Sequence, residues 1–387
     1  MNNSNPKQPI RILMIIPRID IYQGGPSYAV INLCRALANQ GIEVTLFTAE
    51  PTGEIPLRTD SKYKTEYFPL SFPKRYSNSN ALVKAIFQNK TRYDIIHIHN
   101  LWNIITTRSA LAAQKLNIPY VITSQGMLSA WQRGFSQFHK ELYFKLFDRK
   151  IIRRAAFIHF LNEHEAINSN RLLNGCSQRI IPNGIWPSEF KELKPVEFRE
   201  RNGLDNKPLV AFLGRLHPIK RLDLQCGAFE ILADKFPQLN WLFIGPDYGM
   251  AAEITKILTQ AKLRDRAFLT GMLSGKDRLS ALSAANVYCH TSSHEGHSIA
   301  ITEALAAGKP CVVTNQCHFD DIETSQAGFI VEPDPKSIAD AIEQILTSPD
   351  RARTMGDNAK ALSTEKYSWD AVGKAMIKEY QSILNNL

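Results

Sequence analysis

The chain has 387 residues, 44% of them hydrophobic and 21% charged, so it is an ordinary globular composition with enough length for two cored domains. No apolar run is long enough to span a bilayer, residues 1–6 lack the apolar core of a signal peptide, and six scattered cysteines form no CxxC pair. These features argue against a membrane-spanning protein or a disulfide scaffold and for reduced thiols in the cytoplasm, while a formal charge of +9 favours anionic partners, whether nucleic acid, acidic membrane or a phosphorylated ligand.

Residues 10–17 are an almost continuous apolar run, the pattern of a buried parallel strand. A loop with Gly24 and Gly25 follows, then a helical stretch over 27–39 and a strand over 43–48. The two glycines would let a ligand approach the backbone closely, but they do not form the GxGxxG dinucleotide fingerprint, and a plain tight turn accounts for them as well. Residues 51–80, rich in Pro, Ser, Thr, Asn and charge, read mainly as a surface excursion. Residues 93–99 form a strand whose His97 and His99 share one face, either as a metal pair or as the polar end of a strand at a cleft. A helix falls within 101–115. The next strand, 119–123, leads into Gln125 and Gly126, where an open α/β sheet places its ligand crevice.

Residues 136–154 read as a basic helix. Tyr143, Phe147 and Ile151 recur as an apolar stripe, with Lys145, Arg149 and Arg153 on another face beside Lys150 and Arg154. Such a helix either packs on the core with a solvated outer face or docks on anionic lipid headgroups. A strand over 155–161, a helix over 163–172 and a strand over 179–182 end the first half. Asn183 and Gly184 open a Pro- and charge-rich stretch, 184–207, read as a linker.

The alternation then restarts with strands over 208–213, 241–245, 267–270, 286–290 and 310–314, a second doubly wound unit. Arg215 and Lys220 follow its first strand. Glu295 lies on a loop, Ser298 caps a helix over 298–307, Glu303 sits about one and a half turns inside it, and Gly308 and Pro310 end it. The N–H groups near Ile299 and Ala300 point out of the helix N-terminus, which favours anions. Two carboxylates flanking an anion site suit a ligand with hydroxyls at both ends and phosphate in the middle, as in a nucleotide sugar. A solvated Glu beside an ordinary capped helix satisfies the same spacing. Arg supplies a planar fork for phosphate oxygens and Lys a movable point charge.

Over nearly its whole length the chain resembles the retaining GT-B glycosyltransferases of the group 1, family-four type. The resemblance is carried in order by Gly24-Gly25, His97-Ile98-His99, Ile181-Pro182-Asn183-Gly184, Gly214-Arg215 with Lys220, and Glu295-Gly296-His297-Ser298 leading to Glu303. Ala306-Ala307-Gly308-Lys309-Pro310 and Tyr367-Ser368-Trp369 complete it. It implies two Rossmann-like doubly wound domains facing across a cleft: residues 1–190 on the acceptor side, 191–366 binding the nucleotide sugar, and 367–387 as a helix crossing back to the first domain. Arg215, Lys220 and Glu295 are the implied catalytic residues. The implied donor site adds Gly24, Gly25, Gln125, Asn183, Met272, Leu273, His297, Ser298, Ile299, Ala300 and Glu303, with Glu303 on the ribose, Glu295 on the sugar and the two cations on the diphosphate. His99, Asn100 and Trp102 are the expected acceptor side.

Two departures from the family pattern stand out. Gln125 replaces a frequent His, and an amide cannot act as a general base. His297 stands where Phe is frequent. The expected activity is metal-independent hexosyl transfer with retention, from a UDP- or GDP-linked sugar to a glycan or lipid-linked glycan, in assembly of cell-surface polysaccharide or glycolipid. The place expected is the cytoplasm, with residues 136–154 on the membrane surface. The alternative is a non-catalytic subunit that binds the nucleotide sugar. A dinucleotide-dependent oxidoreductase is disfavoured by the missing GxGxxG, and a nucleic-acid partner by the lack of aromatic-basic interleaving.

Overall fold

A computed structural model of the protein describes residues 9–20, 25–52, 57–128, 142–173, 175–204 and 206–386. The chain divides into two compact units: Met1–Gly184 with Trp369–Leu387, and Ile185–Ser368. The chain therefore passes between them at 184/185 and 368/369, near the sequence-drawn boundaries at 190/191 and 366/367.

Unit 1 is built on strands β1 (Arg11–Ile15), β2 (Glu43–Ala49), β3 (Lys64–Phe68), β4 (Ile95–His99), β5 (Tyr120–Thr123), β6 (Phe157–Phe160) and β7 (Gln178–Ile180). All pair in parallel, in the order β3-β2-β1-β4-β5-β6-β7. The Ile-rich runs of β1 and β4 are buried because helices cover both faces of such a sheet. The sequence reading missed β3, which falls inside the presumed surface excursion. Its backbone pairs with β2, and Phe68 packs edge-on against Phe47 at 4.7 Å. The last helix, Trp369–Asn385, belongs to this unit. Gly373 lies so close to the Gly25–Asn39 helix that a Cβ there would stand 3.3 Å from that of Ala36. Tyr380, fully buried, reaches His97 on β4.

Unit 2 carries β8 (Leu209–Leu213), β9 (Asn240–Ile244), β10 (Ala267–Leu269), β11 (Val287–His290), β12 (Cys311–Thr314) and β13 (Gly328–Val331). These are again parallel, in the order β10-β9-β8-β11-β12-β13. β13 was not expected. Its Gly328 marks the close approach, since a Cβ there would lie 1.9 Å from the Cys311 carbonyl oxygen. The 184–207 stretch is not a linker. It holds a helix, Pro195–Arg201, that buries Phe198. Arg199 fastens it by donating to the carbonyls of Ala284, Leu204 and Lys207 and to Asn286 Oδ1, at 2.8–2.9 Å.

Each sheet reverses strand order once, between β1 and β4 and between β8 and β11. Such switch points open a crevice at the carboxyl ends of the strands. The β8 and β11 ends carry 214–220 and 291–297, the two loops singled out from sequence.

Candidate functional site

Backbone crowding shapes the β8 end. Gly214 and Gly245 have φ of 153° and 145°, and a Cβ on Gly245 would stand 2.0 Å from the Gly214 carbonyl oxygen. Only glycine tolerates that pair of conformations and that approach. Arg215 follows, exposed, its guanidinium 5.3 Å over the Tyr248 ring. A single 3₁₀ turn, Pro218–Lys220, then presents Lys220.

The β11 loop is stitched to that turn. Thr291 Oγ1 donates to the carbonyls of Lys220 and Arg221, and the Ser293 N–H donates to the Ile219 carbonyl at 2.9 Å. This brings Lys220 Nζ onto Glu295 Oε1, with both side chains almost enclosed. His290 Nε2 meets the same oxygen at 2.7 Å, and Tyr288 Oη lies 2.8 Å from His290 Nδ1. A carboxylate only accepts, so Nε2 carries the proton and Nδ1 takes the tyrosine hydroxyl. Burial alone would raise the Glu295 pKa, but Lys220 and His290 outweigh it and hold the carboxyl well below the ordinary range.

The Ile299–Ala306 helix starts as read. Ser298 Oγ accepts from the Ile301 N–H at 3.4 Å, and Ile299 and Ala300 are partly exposed at the first turn. Glu303 is buried and takes both guanidinium nitrogens of Arg278, at 2.5 and 2.7 Å. His297 packs among Phe319 and Tyr367, with centroids at 5.3 and 5.5 Å, and lies 3.1 Å from Thr302 Oγ1. The imidazole thus occupies an aromatic niche. Met272 is 75% exposed after β10, and Leu273 packs on the core beside it. Lys220, Glu295, His290 and the helix start therefore come together around one loop pair. His290, Tyr288 and Arg278 were not picked out from sequence, because each acts through a partner that local pattern does not reveal.

In unit 1 the strand ends carry strained backbone. Asn100, Trp102 and Gln125 have φ of 72°, 56° and 53°. Gln125 Nε2 lies 3.5 Å from His99 Nδ1. Glu165, buried, holds the Gln125 turn by accepting from Ser124 Oγ, from the Gly126 N–H at 2.7 Å and from the Leu161 N–H at 3.1 Å. Asp148, buried, accepts from the Trp102 N–H at 3.3 Å, and burial pushes its carboxyl up to about 7. Asn183 is buried, and Gly25 begins the first helix with open space around its Cα. Gly24 and residues 136–141 lie outside the described residues. His97 is not placed as a metal ligand: Nδ1 meets Tyr380 Oη at 2.5 Å and Nε2 meets Thr123 Oγ1 at 2.6 Å.

Two doubly wound sheets, with cations, carboxylates and a helix N-terminus on the loops at the switch point of the second, define a two-domain α/β protein. The Glycosyl transferases group 1 profile matches residues 195–362, and that of Glycosyltransferase Family 4 matches residues 23–189. The chain belongs to the group 1 glycosyltransferases of the family-four type. Alpha-D-kanosaminyltransferase of Streptomyces kanamyceticus is 27% identical over 61% of this chain and 63% of its own length. A component of the human phosphatidylinositol N-acetylglucosaminyltransferase is 23% identical over 93% of this chain and 73% of its own. Anabaena HepE, solved in complex with UDP, matches with a TM-score of 0.76 at 19% identity, covering 96% of this chain and all of that one, which establishes the GT-B fold.

Proposed function

We propose that the protein is a metal-independent, retaining glycosyltransferase. It moves a hexosyl unit from a UDP- or GDP-linked sugar to a glycan or lipid-linked glycan, in assembly of cell-surface polysaccharide or glycolipid. The observation that carries this reading is the convergence of Lys220, Glu295 and the first turn of the Ile299–Ala306 helix at one switch point. The names of the relatives support the reaction class, and the human relative's name supports a lipid-linked acceptor.

The chemistry follows from charge. As the bond from the anomeric carbon to the diphosphate oxygen breaks, its electron pair leaves on the diphosphate. Arg215, Lys220 and the N–H groups of Ile299 and Ala300 stabilise that charge more than they stabilise the bound donor. The acceptor hydroxyl attacks from the same face and gives its proton to a departing phosphate oxygen. Glu295 orients the sugar, Glu303 takes the ribose hydroxyls while bound to Arg278, and the 271–273 backbone borders the base. Within unit 1, His99, Asn100 and Trp102 serve the acceptor. The basic segment 136–154, whose residues 136–141 lie outside the described ones, would hold the enzyme at the cytoplasmic face of a membrane.

Calorimetry with UDP, GDP and ADP tests the site. One nucleotide binds, and both Arg215→Ala and Glu303→Ala lose that binding; no binding to any of the three would remove the donor-site reading. Gln125 favours a second reading, a nucleotide-sugar-binding subunit without turnover. Release of nucleotide from the matching sugar donor in the presence of acceptor separates the two.

A further inference from the structure

Among the described residues, Glu295 is held through one oxygen. Lys220 Nζ and His290 Nε2 both reach Oε1, and among the described residues none donates to Oε2. The His290 ring is fully buried at the end of β11. It is stacked on Phe212 at 5.5 Å and next to Tyr288 at 5.9 Å, and its Nδ1 is engaged by the tyrosine hydroxyl. It cannot turn away from Glu295 without leaving that stack. Lys220 differs: its ammonium ends a flexible stem, carries three N–H donors and is the group the proposed reaction draws toward the diphosphate.

We infer that His290 is a positioning residue for the donor sugar, clamping Glu295 through Oε1 so that Oε2 stands open to accept one sugar hydroxyl. The clamp persists when Lys220 engages the diphosphate. Tyr288 completes the device by fixing the imidazole tautomer. The division of labour is physical. A carboxylate pinned at one oxygen by a rigid ring keeps its second oxygen in place, whereas one pinned by lysine alone would move with the lysine. This inference rests on the nucleotide-sugar reading of the site.

The test compares His290→Leu, which fills the space without a donor, with His290→Gln, which restores an N–H near Nε2. UDP and UDP-glucose are titrated into each by calorimetry, after thermal melts confirm folding, with GDP and GDP-mannose as the second probe pair. The expected result is nucleotide affinity unchanged in both variants, with the sugar-nucleotide affinity of His290→Leu reduced relative to free nucleotide by about tenfold, the worth of a hydrogen bond to a charged group. His290→Gln regains most of it. Unchanged sugar-nucleotide affinity in His290→Leu would overturn the inference. Equal loss of nucleotide and sugar-nucleotide affinity would also overturn it, by making His290 a general support of the loop. Wild-type protein that binds none of the probes would instead overturn the donor-site reading, and this inference with it.

Discussion

Among single residues, the buried histidines of unit 1 set the most specific chemical constraint. His159 Nε2 faces the Ile181 carbonyl at 2.7 Å, so that nitrogen must donate and Nδ1 must accept, taking the Thr123 hydroxyl at 2.8 Å. Thr123 Oγ1 then accepts from His97 Nε2, and His97 Nδ1 accepts from Tyr380. One direction of donation satisfies the whole chain, and it requires neutral imidazoles. Burial agrees: it holds His159 down to about 4, and burial with the nearby His159 holds His99 down to about 3. Both folded pKa values lie below the unfolded value of about 6.5. Between these limits the unfolded chain binds more protons, so this stability is complete above about pH 6.5 and is lost as pH falls toward 4 and 3. Each histidine contributes a slope of up to about 1.4 kcal/mol per pH unit. Urea unfolding at pH 7, 6 and 5 should show stability falling, with a shallower fall in His159→Gln; the same slope in both proteins would contradict the assignment.

At the scale of elements, the segment before β6 shows how packing overrides a periodic pattern. The sequence suggests one helix with Tyr143, Phe147 and Ile151 facing inward. Instead a π-helical turn over Phe144–Asp148 precedes a short α-helix over Arg149–Arg153. A π turn spends an extra residue and shifts the inward face. Phe144, Asp148, Ile151 and Ile152 are buried, Tyr143 is half-buried, and Phe147 is 45% exposed. Asp148 is thereby brought to the Trp102 N–H, from which its Oδ2 accepts. Outside, Leu146, Phe147, Lys145, Arg149 and Arg153 are all exposed, and the proposed docking on anionic lipid would rest on them. Flotation with vesicles containing phosphatidylglycerol should carry the wild-type protein upward. The triple Lys145→Glu, Arg149→Glu, Arg153→Glu variant should stay behind; equal flotation of both would take this segment out of the membrane reading.

On the scale of the whole molecule, the chain's return to unit 1 is marked by a tight approach of Gly184 to Trp369. Gly184, the last residue of the first pass, sits where a Cβ would come within 2.8–3.0 Å of Trp369 Cδ2, N and Cα. In unit 2, Ile185 donates its N–H to the Tyr367 carbonyl at 2.8 Å. Two of the crowding atoms at Gly184 are backbone, so they cannot rotate away. Gly184→Ala should destabilise unit 1 by about 1–3 kcal/mol, the usual cost of overpacking. Urea unfolding followed by tryptophan fluorescence measures it, and a variant as stable as wild type would show that the junction yields.

The sequence by itself determined the two parallel sheets, because continuous apolar runs alternating with helical stretches have few other ways to be buried. It also marked the Glu295–Glu303 stretch, because Ser298, Gly308 and Pro310 signal helix ends within a few residues of one another. Tertiary structure alone decided what those residues meet. β3, β13 and the Pro195–Arg201 helix depend on partners supplied elsewhere in the fold. His290 and Lys220 share an oxygen of Glu295 although Lys220 is 75 residues away from it, and Arg278 claims Glu303 across 25 residues. Local pattern reports how a segment must be buried or capped. Which charges then neutralise one another depends on strand order, and strand order is set by the packing of the whole sheet.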